Sequence, residues 1–416
     1  MLFGLMRDAK WPPRWSDTIV LPLPRSPLLP IFLIVCVDVL GLTIILPLLP
    51  FYAEHFGASP TTVGLLVSTF ALCQLIGGPL LGRMSDHMGR RPLLLLSQAG
   101  TFIGFLILAY ANALWVVFLS RVIDGITAGN LSLAQAYIAD VTKPEERAKS
   151  FALIGIAFGI GFLVGPGISG FLSQFNYQLP ILVAAGLSFT SILATWFLLP
   201  STTPPRESDV PPRSFTLFDW RTYAAFFRRP DLAPLLWQFT AFGFAFSAFM
   251  SGFPLFAERR FTWNGHPFGP KQVGYVYAFL GFLGIILQGG LIGRLVKRFG
   301  EPKMVKAGFI CAAVGFATLG FTYQLPLLLI VAALASAGTG ILRPALTSLI
   351  TQKASRSEQG VVLGLNQSLY SVCAIVAPFA AGLLINQGWL AAWALMTGVV
   401  SLIGLFIAQG RGRAAS

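Results

Sequence analysis

The segment GRMSDHMGRRP, residues 82–92, is a short charged stretch between two long apolar runs, and it decides the fold. Gly82 and Gly89 permit a tight turn and a close approach of helices. Asp86 can cap the N-terminus of a neighbouring helix, where the helix dipole favours an anion. Two adjacent arginines would anchor the turn on the cytoplasmic side of a membrane. An ordinary basic loop is the simpler alternative, but it needs neither the two glycines nor the carboxylate.

The chain around this segment consists almost entirely of apolar stretches. Of 416 residues, 55% are hydrophobic and 11% are charged, whereas a soluble domain has about 25% charged residues. Because an apolar stretch of about 20 residues spans a bilayer as a helix, the sequence predicts an all-α membrane protein with membrane lipids as partners. The twelve predicted transmembrane helices are 28–50, 62–82, 92–111, 114–138, 149–173, 179–199, 232–256, 272–292, 304–323, 326–350, 361–385 and 389–409.

The basic residues lie mainly on one side of these spans. With the N-terminus inside, 24 of the 29 Lys and Arg residues fall on the cytoplasmic side. Arg259, Arg260 and Lys271 lie outside, and Arg121 and Arg343 fall within helices. Loops rich in Lys and Arg stay in the cytoplasm, so both termini are predicted to be cytoplasmic, with the chain in the plasma (inner) membrane if it is bacterial. The net charge of +13 reflects this asymmetry, and we expect no nucleic-acid partner.

A polar, proline-rich stretch at 200–231 separates six spans from six. Three landmarks recur across it at an offset of 211 or 212 residues, pairing Gly82 with Gly293, Glu146 with Glu358 and Pro166 with Pro378. This repeat indicates duplication of a six-helix unit, an arrangement of transporters that bind substrate between two halves. The predicted organisation is a cytoplasmic tail at 1–27, six-helix bundles at 28–199 and 232–409 joined by a cytoplasmic linker at 200–231, and a cytoplasmic tail at 410–416.

Three ionisable residues fall inside spans of the first half. Asp38 lies about 15 Å deep in the first span, near the midplane, and Arg121 lies roughly 10 Å from the outer surface in the fourth. Asp124 follows Arg121 by one helical turn and can pair with it. Because a charge at the helix centre costs about 2.5–3.5 kcal/mol, these residues predict a proton site on Asp38 that is tuned by Arg121. The alternative is a static Arg121–Asp124 pair that braces the fourth helix.

These motifs together resemble the major facilitator superfamily, and in particular its tetracycline–proton antiporters. The resemblance runs through 82–96, 119–127 and 165–170, and more thinly through 256–261. The segment 120–140 is also similar to the animal tetracycline-transporter-like proteins, which are credited with moving organic anions. The resemblance implies two pseudo-symmetric six-helix bundles and drug–proton antiport.

The resemblance also implies roles for individual residues. Proton coupling would involve Asp38 and the fourth-helix Arg121, whereas Asp124 stands where the motif usually has glutamine. We call residues 82–92 the signature segment. This segment would be the gate that holds the outward-open state, through Gly82, Asp86, Gly89, Arg90 and Arg91.

Glycines and a proline recur in the fifth predicted span. Small residues there allow close contact with the eighth helix across the two halves, and a proline breaks one backbone hydrogen bond. By resemblance this is the motif associated with antiporters, although plain small-residue packing is an alternative. Its residues are Gly161, Gly165, Pro166 and Gly170.

A central substrate cavity is predicted from polar and aromatic residues in the spans. Arg343 lies roughly 25 Å down the tenth span, where it either reaches lipid headgroups or contacts an anionic substrate group from inside. Each of the others could equally form a hydrogen bond between helices. Glu54 and Glu258 end the first and seventh spans and are expected to be solvated. The cavity candidates are Gln74, Asn130, Gln135, Trp237, Gln238, Asn366, Tyr370 and Arg343.

Several patterns are absent from the sequence. The tetracycline pumps place acidic residues in the third and ninth helices and a histidine in the eighth, where this chain has Gly104, Ala312 and Gly284. A magnesium–tetracycline cation would therefore lose its partners. No phosphate-binding G-x-x-x-x-G-K-[ST] pattern occurs, so ATP is not expected to drive transport. The four cysteines lack metal-ligand spacing. We expect no metal, no catalytic residues and no enzyme activity.

The predicted function is export of small, largely apolar organic compounds in exchange for protons. The proton is the coupling ion, no cofactor is expected, and the chain is expected to act as a monomer on a small-molecule substrate. One alternative is an organic-anion carrier that binds its substrate through Arg121 and Arg343. Another is a membrane receptor or scaffold, which would have no polar cavity between its halves.

Overall fold

The computed structural model describes residues 28–142, 147–200, 220–355 and 358–414, and within them twelve helical stretches are long and apolar enough to cross a membrane. The twelve predicted spans are therefore confirmed. In chain order the spans are Leu28–His55, Pro60–Met88, Arg90–Ala109, Leu114–Val141, Leu153–Leu172, Gln178–Leu198, Ala233–Arg260, Pro270–Phe299, Glu301–Leu319, Leu325–Lys353, Val361–Asn386 and Leu390–Gln409.

Two spans are not continuous α-helices. The fourth consists of the helices Leu114–Ile126 and Asn130–Val141, and the eighth contains a π-helical stretch at Leu287–Leu291 between Pro270–Ile286 and Ile292–Phe299. Several helices extend beyond their spans: the fifth helix begins at Arg147, the eleventh at Gln359, and the last ends at Ala414. A short helix, Trp220–Arg228, precedes the seventh span, and a two-stranded hairpin, Thr262–Trp263 with His266–Pro267, follows it. Residues 1–27, most of the linker, and Glu146 lie outside the described residues.

The signature segment is less of a loop than its charges suggested. The second span continues as helix through Met88, and the third helix begins at Arg90. The whole reversal is made at Gly89, whose φ of 93° is a backbone conformation that favours glycine. The repeat in the second half has the same device, because Gly300 has φ 80° between Phe299 and Glu301. The helix of the second span continues beyond its apolar residues because charged side chains can extend into water while the backbone hydrogen bonds of the helix continue.

The two halves pack mainly through two pairs of spans, the second with the eleventh and the fifth with the eighth, and the first span also contacts the seventh and the eighth. Glycines make the close approaches. A Cβ atom added at Gly64 would lie 2.4 Å from the Pro378 carbonyl oxygen, and one added at Gly274 would lie 2.4 Å from that of Pro166. Backbone meets backbone there without an intervening side chain, as helix packing in lipid requires.

Among the described residues, the close approaches between the halves lie at one end and in the middle of the molecule. We call the end that carries Gly89 the motif end and the opposite end the far end. At the motif end, an added Cβ atom at any of five glycines in the second and eighth spans would meet nothing within 4 Å among the described residues; they are Gly78, Gly82, Gly289, Gly290 and Gly293. The halves therefore diverge toward the motif end and close at the far end.

Candidate functional site

The Asp38 carboxyl group lies inside the first half and faces the third and sixth spans. Its side-chain neighbours are Gln98 and Ser191, and the charge of Asp124 in the fourth span also acts on it. The Oδ1 atom of Asp38 is buried and has no hydrogen-bond partner among the described residues. No ion pair in the described part of the chain includes this carboxyl group. Asp38 can therefore exchange a proton without first breaking a salt bridge.

Arg121 pairs with Asp124 rather than with Asp38. Its Nη1 atom lies 3.2 Å from Asp124 Oδ2, and the two side chains are only 5% and 6% exposed. The guanidinium also lies about 6 Å from the ring centroids of Phe70 and Phe105, close enough for cation–π attraction. Because this pair is closed off from solvent, Arg121 is poorly placed to bind a substrate anion in this state.

Asp124 is the link between the pair and the proton site. It is held by Arg121, its charge acts on Asp38, and it is a hydrogen-bonding neighbour of Thr101. A Cβ atom added at Gly104 would lie 3.0 Å from the Cβ of Asp124. The absence of a side chain at position 104 therefore leaves the room that the Asp124 side chain occupies.

The fifth-span motif has two faces, and only one of them meets the eighth span. The predicted contact of Gly161 and Gly165 with the eighth helix is wrong, because both pack against the first span. The Thr43 hydroxyl donates a 2.8 Å hydrogen bond to the Gly161 carbonyl, and a Cβ atom added at Gly165 would overlap the Thr43 side chain.

The other face of the motif supplies the contact between the halves. A Cβ atom added at Gly170 would lie 2.9 Å from the Lys271 carbonyl oxygen, and the carbonyl groups of Phe162 and Pro166 approach Gly281 and Gly274. The two sets fall on different faces because residues four apart share one side of a helix. Since the first face touches Val39 and Thr43, within about one turn of Asp38, the fifth span connects the proton site to the eighth span.

Three charged residues of the signature segment, Asp86, Arg90 and Arg91, have partners within the first half. Arg90 Nη1 lies 2.5 Å from Asp86, and Arg90 Nε donates a 2.8 Å hydrogen bond to Asp140. Arg91 donates to the carbonyl oxygen of Trp196 in the sixth span. At the start of the third helix, Gly89 occupies the cap position without a side-chain hydrogen bond, and Asp86 pairs with Arg90.

Arg343 points into the bundle rather than toward lipid headgroups. Its guanidinium lies 5.5 Å from the ring centroid of Tyr370 in the eleventh span, and that ring packs near Gly243 of the seventh span. Arg343 itself is exposed. Arg343 therefore places an exposed cation over an aromatic ring of a neighbouring span.

The other cavity candidates divide by their surroundings. Asn366 and Gln238 are buried, and both amide atoms of Asn366 and the Nε2 of Gln238 have no partner among the described residues. The Oδ1 of Asn130 is likewise buried without a partner, whereas Gln74 is half-buried and Gln135 is exposed.

Trp237 does not fit a central cavity. It packs edge-on against Phe227 of the short linker helix, with ring centroids 5.2 Å apart, and is 54% exposed. Its position is next to the linker at the motif end.

Glu54 and Glu258 are not simply solvated. Arg259 Nη2 lies 2.5 Å from Glu54 Oε1, and Arg259 Nη1 lies 2.8 Å from Glu258 Oε2. The expectation failed because Glu54 belongs to the first span and Arg259 to the seventh, and the partner becomes visible only when the halves pack. This ion pair joins the halves at the far end.

Gln98, Ser191 and Thr101 were missed as site residues. Gln98 and Ser191 are both fully buried. Gln98 carried the same signal as Gln74, a glutamine in an apolar span, and could have been found. The hydroxyl residues gave no signal, because serine and threonine are common in transmembrane helices, where they hydrogen-bond to the backbone or across helices.

Comparison with known proteins identifies the family. The family model of the Major Facilitator Superfamily matches residues 31–292 and 289–411. The class B tetracycline resistance protein of Escherichia coli is 32% identical over 376 residues, covering 86% of this chain and 89% of that protein. Multidrug resistance protein 2 of Bacillus subtilis is 28% identical, covering 88% and 90%.

Solved structures share the fold. The crystal structure of the human organic anion transporter MFSD10 superposes with a TM-score of 0.70 at 24% identity, covering 92% of this chain and 98% of that chain. A likeness at this identity concerns the architecture alone. Together with the match of the family model over nearly all of the described chain, it shows that this protein belongs to the major facilitator superfamily and is a multi-pass membrane transporter, not an enzyme.

Proposed function

We propose that this protein exports small, largely apolar organic compounds in exchange for protons, with Asp38 carrying the proton. The observation that carries the proposal is the Asp38 carboxyl group, which lies in a transmembrane span without an ion-pair partner among the described residues and with a buried, unpartnered oxygen. Ionisable groups in membrane spans are costly and mark proton relays or substrate pathways. The tetracycline resistance and multidrug resistance proteins among the relatives support a drug-like substrate.

The route from protonation to movement runs through the fifth span. A change in the charge of Asp38 alters the packing of the first span against Gly161 and Gly165. The opposite face of the fifth span packs against Gly274 of the eighth span, so the change reaches the second half. With the motif end in the cytoplasm, the space that opens there would receive substrate from inside. Closing that end would bring the signature segment against the second half, where it would act as a latch.

A second candidate function is organic-anion transport, and Arg343 favours it. This residue is an exposed cation over an aromatic ring, whereas Arg121 is occupied by Asp124. An organic anion transporter is also among the proteins of the same fold. In this alternative Arg343 binds the substrate, and Asp38 is not required for downhill flux.

The Asp38→Asn variant separates the two functions. Purified protein in liposomes with an imposed pH gradient would be tested with three probes, a cationic dye such as ethidium, tetracycline, and an aromatic carboxylate such as salicylate. Proton-driven export predicts that Asp38→Asn abolishes uphill accumulation of a transported probe, whereas Arg343→Gln preserves it. Anion transport predicts the reverse, with salicylate flux lost in Arg343→Gln and kept in Asp38→Asn. If the unaltered protein accumulated a transported probe to the same level with and without the pH gradient, the antiport proposal would be contradicted.

We also propose the remaining properties of the protein. The chain would act as a monomer surrounded by lipids, with both termini in the cytoplasm, and would lie in the plasma (inner) membrane if it is bacterial. The two bundles at 28–199 and 232–409 would move as units about the cavity, and the proton would be the only coupling agent, without a metal or organic cofactor.

A further inference from the structure

A surface cavity of about 610 Å³ lies at the far end of the second half. It forms where the twelfth span packs against the seventh and the ninth. Arg259 and Arg260 line it from the end of the seventh span, Tyr323 from the turn after the ninth, and Gly388 and Trp389 from the turn before the twelfth. The cavity therefore combines basic and aromatic side chains from three separate parts of the chain.

The cavity lies where the spans leave the apolar part of a bilayer. Tyr323 and Trp389 adjoin the ends of apolar spans, and they are 69% and 61% exposed. Tyrosine and tryptophan are enriched at the membrane–water interface, because their rings are apolar and each carries a polar group. The ninth and twelfth spans pack mainly against spans of their own half, not against the first half. The cavity thus lies on the flank of the second half that meets lipid.

Arg260 is the cation of this cavity that no described carboxylate pairs with. Its Nη2 atom donates a 3.0 Å hydrogen bond to the Gly320 carbonyl oxygen, and its guanidinium lies 4.4 Å from the ring centroid of Tyr323. Its Nε atom is buried without a partner among the described residues. Arg259, by contrast, is paired with two glutamates. Uncharged groups therefore fix the Arg260 guanidinium in place and leave its charge available to a ligand.

We propose that this cavity binds the phosphate group of an anionic phospholipid, with Arg260 as the residue that holds it. A planar guanidinium presents parallel N–H groups that match two phosphate oxygens, and the Tyr323 ring stacks against that plane. Basic pockets between transmembrane helices bind lipid headgroups in this way. Exposed apolar side chains continue toward the bilayer centre on the ninth and twelfth spans, among them Val314 and Leu395. They offer a surface for acyl chains, which a soluble phosphate lacks.

The test measures lipid binding by the full-length protein and needs neither a substrate nor a pH gradient. Protein in detergent is titrated with an equimolar mixture of dioleoyl phosphatidylglycerol and dioleoyl phosphatidylcholine, and native mass spectrometry counts the lipids that stay bound. We expect the unaltered protein to prefer phosphatidylglycerol, because the choline ammonium group offsets the attraction of the phosphate to Arg260. Arg260→Gln should bind phosphatidylglycerol about tenfold more weakly, the usual scale for one lost hydrogen bond to a charged group.

Lys271→Gln is the matched control, because it removes a positive charge from the same end of the molecule but outside the cavity. We expect it to bind phosphatidylglycerol as the unaltered protein does. Equal binding by Arg260→Gln and Lys271→Gln would overturn the proposal, and so would equal retention of the two lipids by the unaltered protein. Displacement of the bound lipid by millimolar inorganic phosphate would also overturn it, because the site would then take a soluble anion.

A second variant covers the case in which Arg260→Gln does not fold. Tyr323→Leu removes the exposed ring that stacks on the guanidinium and leaves the charge of Arg260 in place. We expect this variant also to bind phosphatidylglycerol more weakly than Lys271→Gln does. Unchanged binding in Tyr323→Leu would contradict the site described here.

Discussion

Arg121 Nη1 and Asp124 Oδ2 lie 3.2 Å apart in the fourth span, and both side chains are almost completely buried. The pair is local, because the two residues are one helical turn apart. Arg121, which the sequence suggested as the partner of Asp38, is therefore paired with Asp124. Asp124 is in turn the charged residue that acts on Asp38. The electrostatics at Asp38 therefore depend on a pair in another helix.

Breaking that pair from one side should be more damaging than removing it. We expect Arg121→Gln and Asp124→Asn each to destabilise the protein by about 3–5 kcal/mol, because each leaves one buried charge uncompensated. The double variant should cost less than the sum of the two. Thermal unfolding of all four proteins in detergent gives the coupling energy directly. Additive effects within about 0.5 kcal/mol would mean that the two residues do not stabilise each other.

Arg259 should keep the far end closed, because its pair with Glu54 joins the first span to the seventh. We expect Arg259→Gln to open this end more often. The reporter is a bifunctional thiol cross-linker between cysteines at 174 and 271, where Lys271 Nζ and Gln174 Oε1 lie 2.8 Å apart across the halves. The four native cysteines are replaced first. The cross-linking yield should fall in Arg259→Gln and stay unchanged in the motif-end control Arg298→Gln; equal yields in both would show that the ion pair has no role in closure.

Gly274 should be intolerant of any side chain, because an added Cβ atom would lie 2.4 Å from the Pro166 carbonyl oxygen. We expect Gly274→Val to prevent close packing of the fifth and eighth spans and to destabilise the closed state by about 1–3 kcal/mol, the usual cost of overpacking. Gly284→Val is the control in the same span, since nothing lies within 4 Å of that position. The yield of the 174–271 thiol cross-link reports closure for both. A normal yield in Gly274→Val would contradict the packing described here.

Arg229 should hold the end of the linker against the eleventh span in a pH-dependent way. It lies 3.1 Å from Asp231 and 3.2 Å from Glu358 and donates to the Lys353 carbonyl. Hydrogen bonds from Ser355 and then from Arg229 lower the pKa of Glu358, and the Arg229 hydrogen bond lowers that of Asp231. A carboxyl group whose pKa is lowered by folding stabilises the folded protein at every pH above its ordinary pKa in the unfolded chain. This stabilisation is lost as the pH falls through the lowered pKa of the folded protein.

Because both carboxyl pKa values are lowered, the contribution of Arg229 to stability should be larger at neutral pH than at low pH. Arg229→Gln should unfold at a lower temperature than the unaltered protein at pH 7, and the difference should shrink as the pH falls below about 4, where the carboxyl groups become protonated. Melting curves monitored by tryptophan fluorescence at pH 7 and at low pH measure both values. Arg228→Gln is a neighbouring control on the same short helix. A difference that is constant over this range would mean that the carboxyl groups do not contribute.

Much of this protein was determined by the sequence alone. Twelve spans could be predicted because a backbone in lipid must form its hydrogen bonds within its own segment, so a long apolar run has one solution, a helix. The repeat offset and the signature segment indicated two related halves and the superfamily. The nearness of Arg121 and Asp124 was also predictable, since residues three apart in a helix are neighbours whatever the rest of the chain does.

The tertiary structure decided which way each helix faces. A span that is apolar on every side carries no stripe that marks its buried face, so the sequence could not show that Gly161 meets the first span and Gly170 the eighth. For the same reason it could not show that Asp38 faces Gln98 and Ser191, that Arg343 points inward over Tyr370, or that Glu54 finds Arg259. These contacts join residues far apart in the chain, and they depend on the rotation and tilt of whole helices, which only packing between them sets.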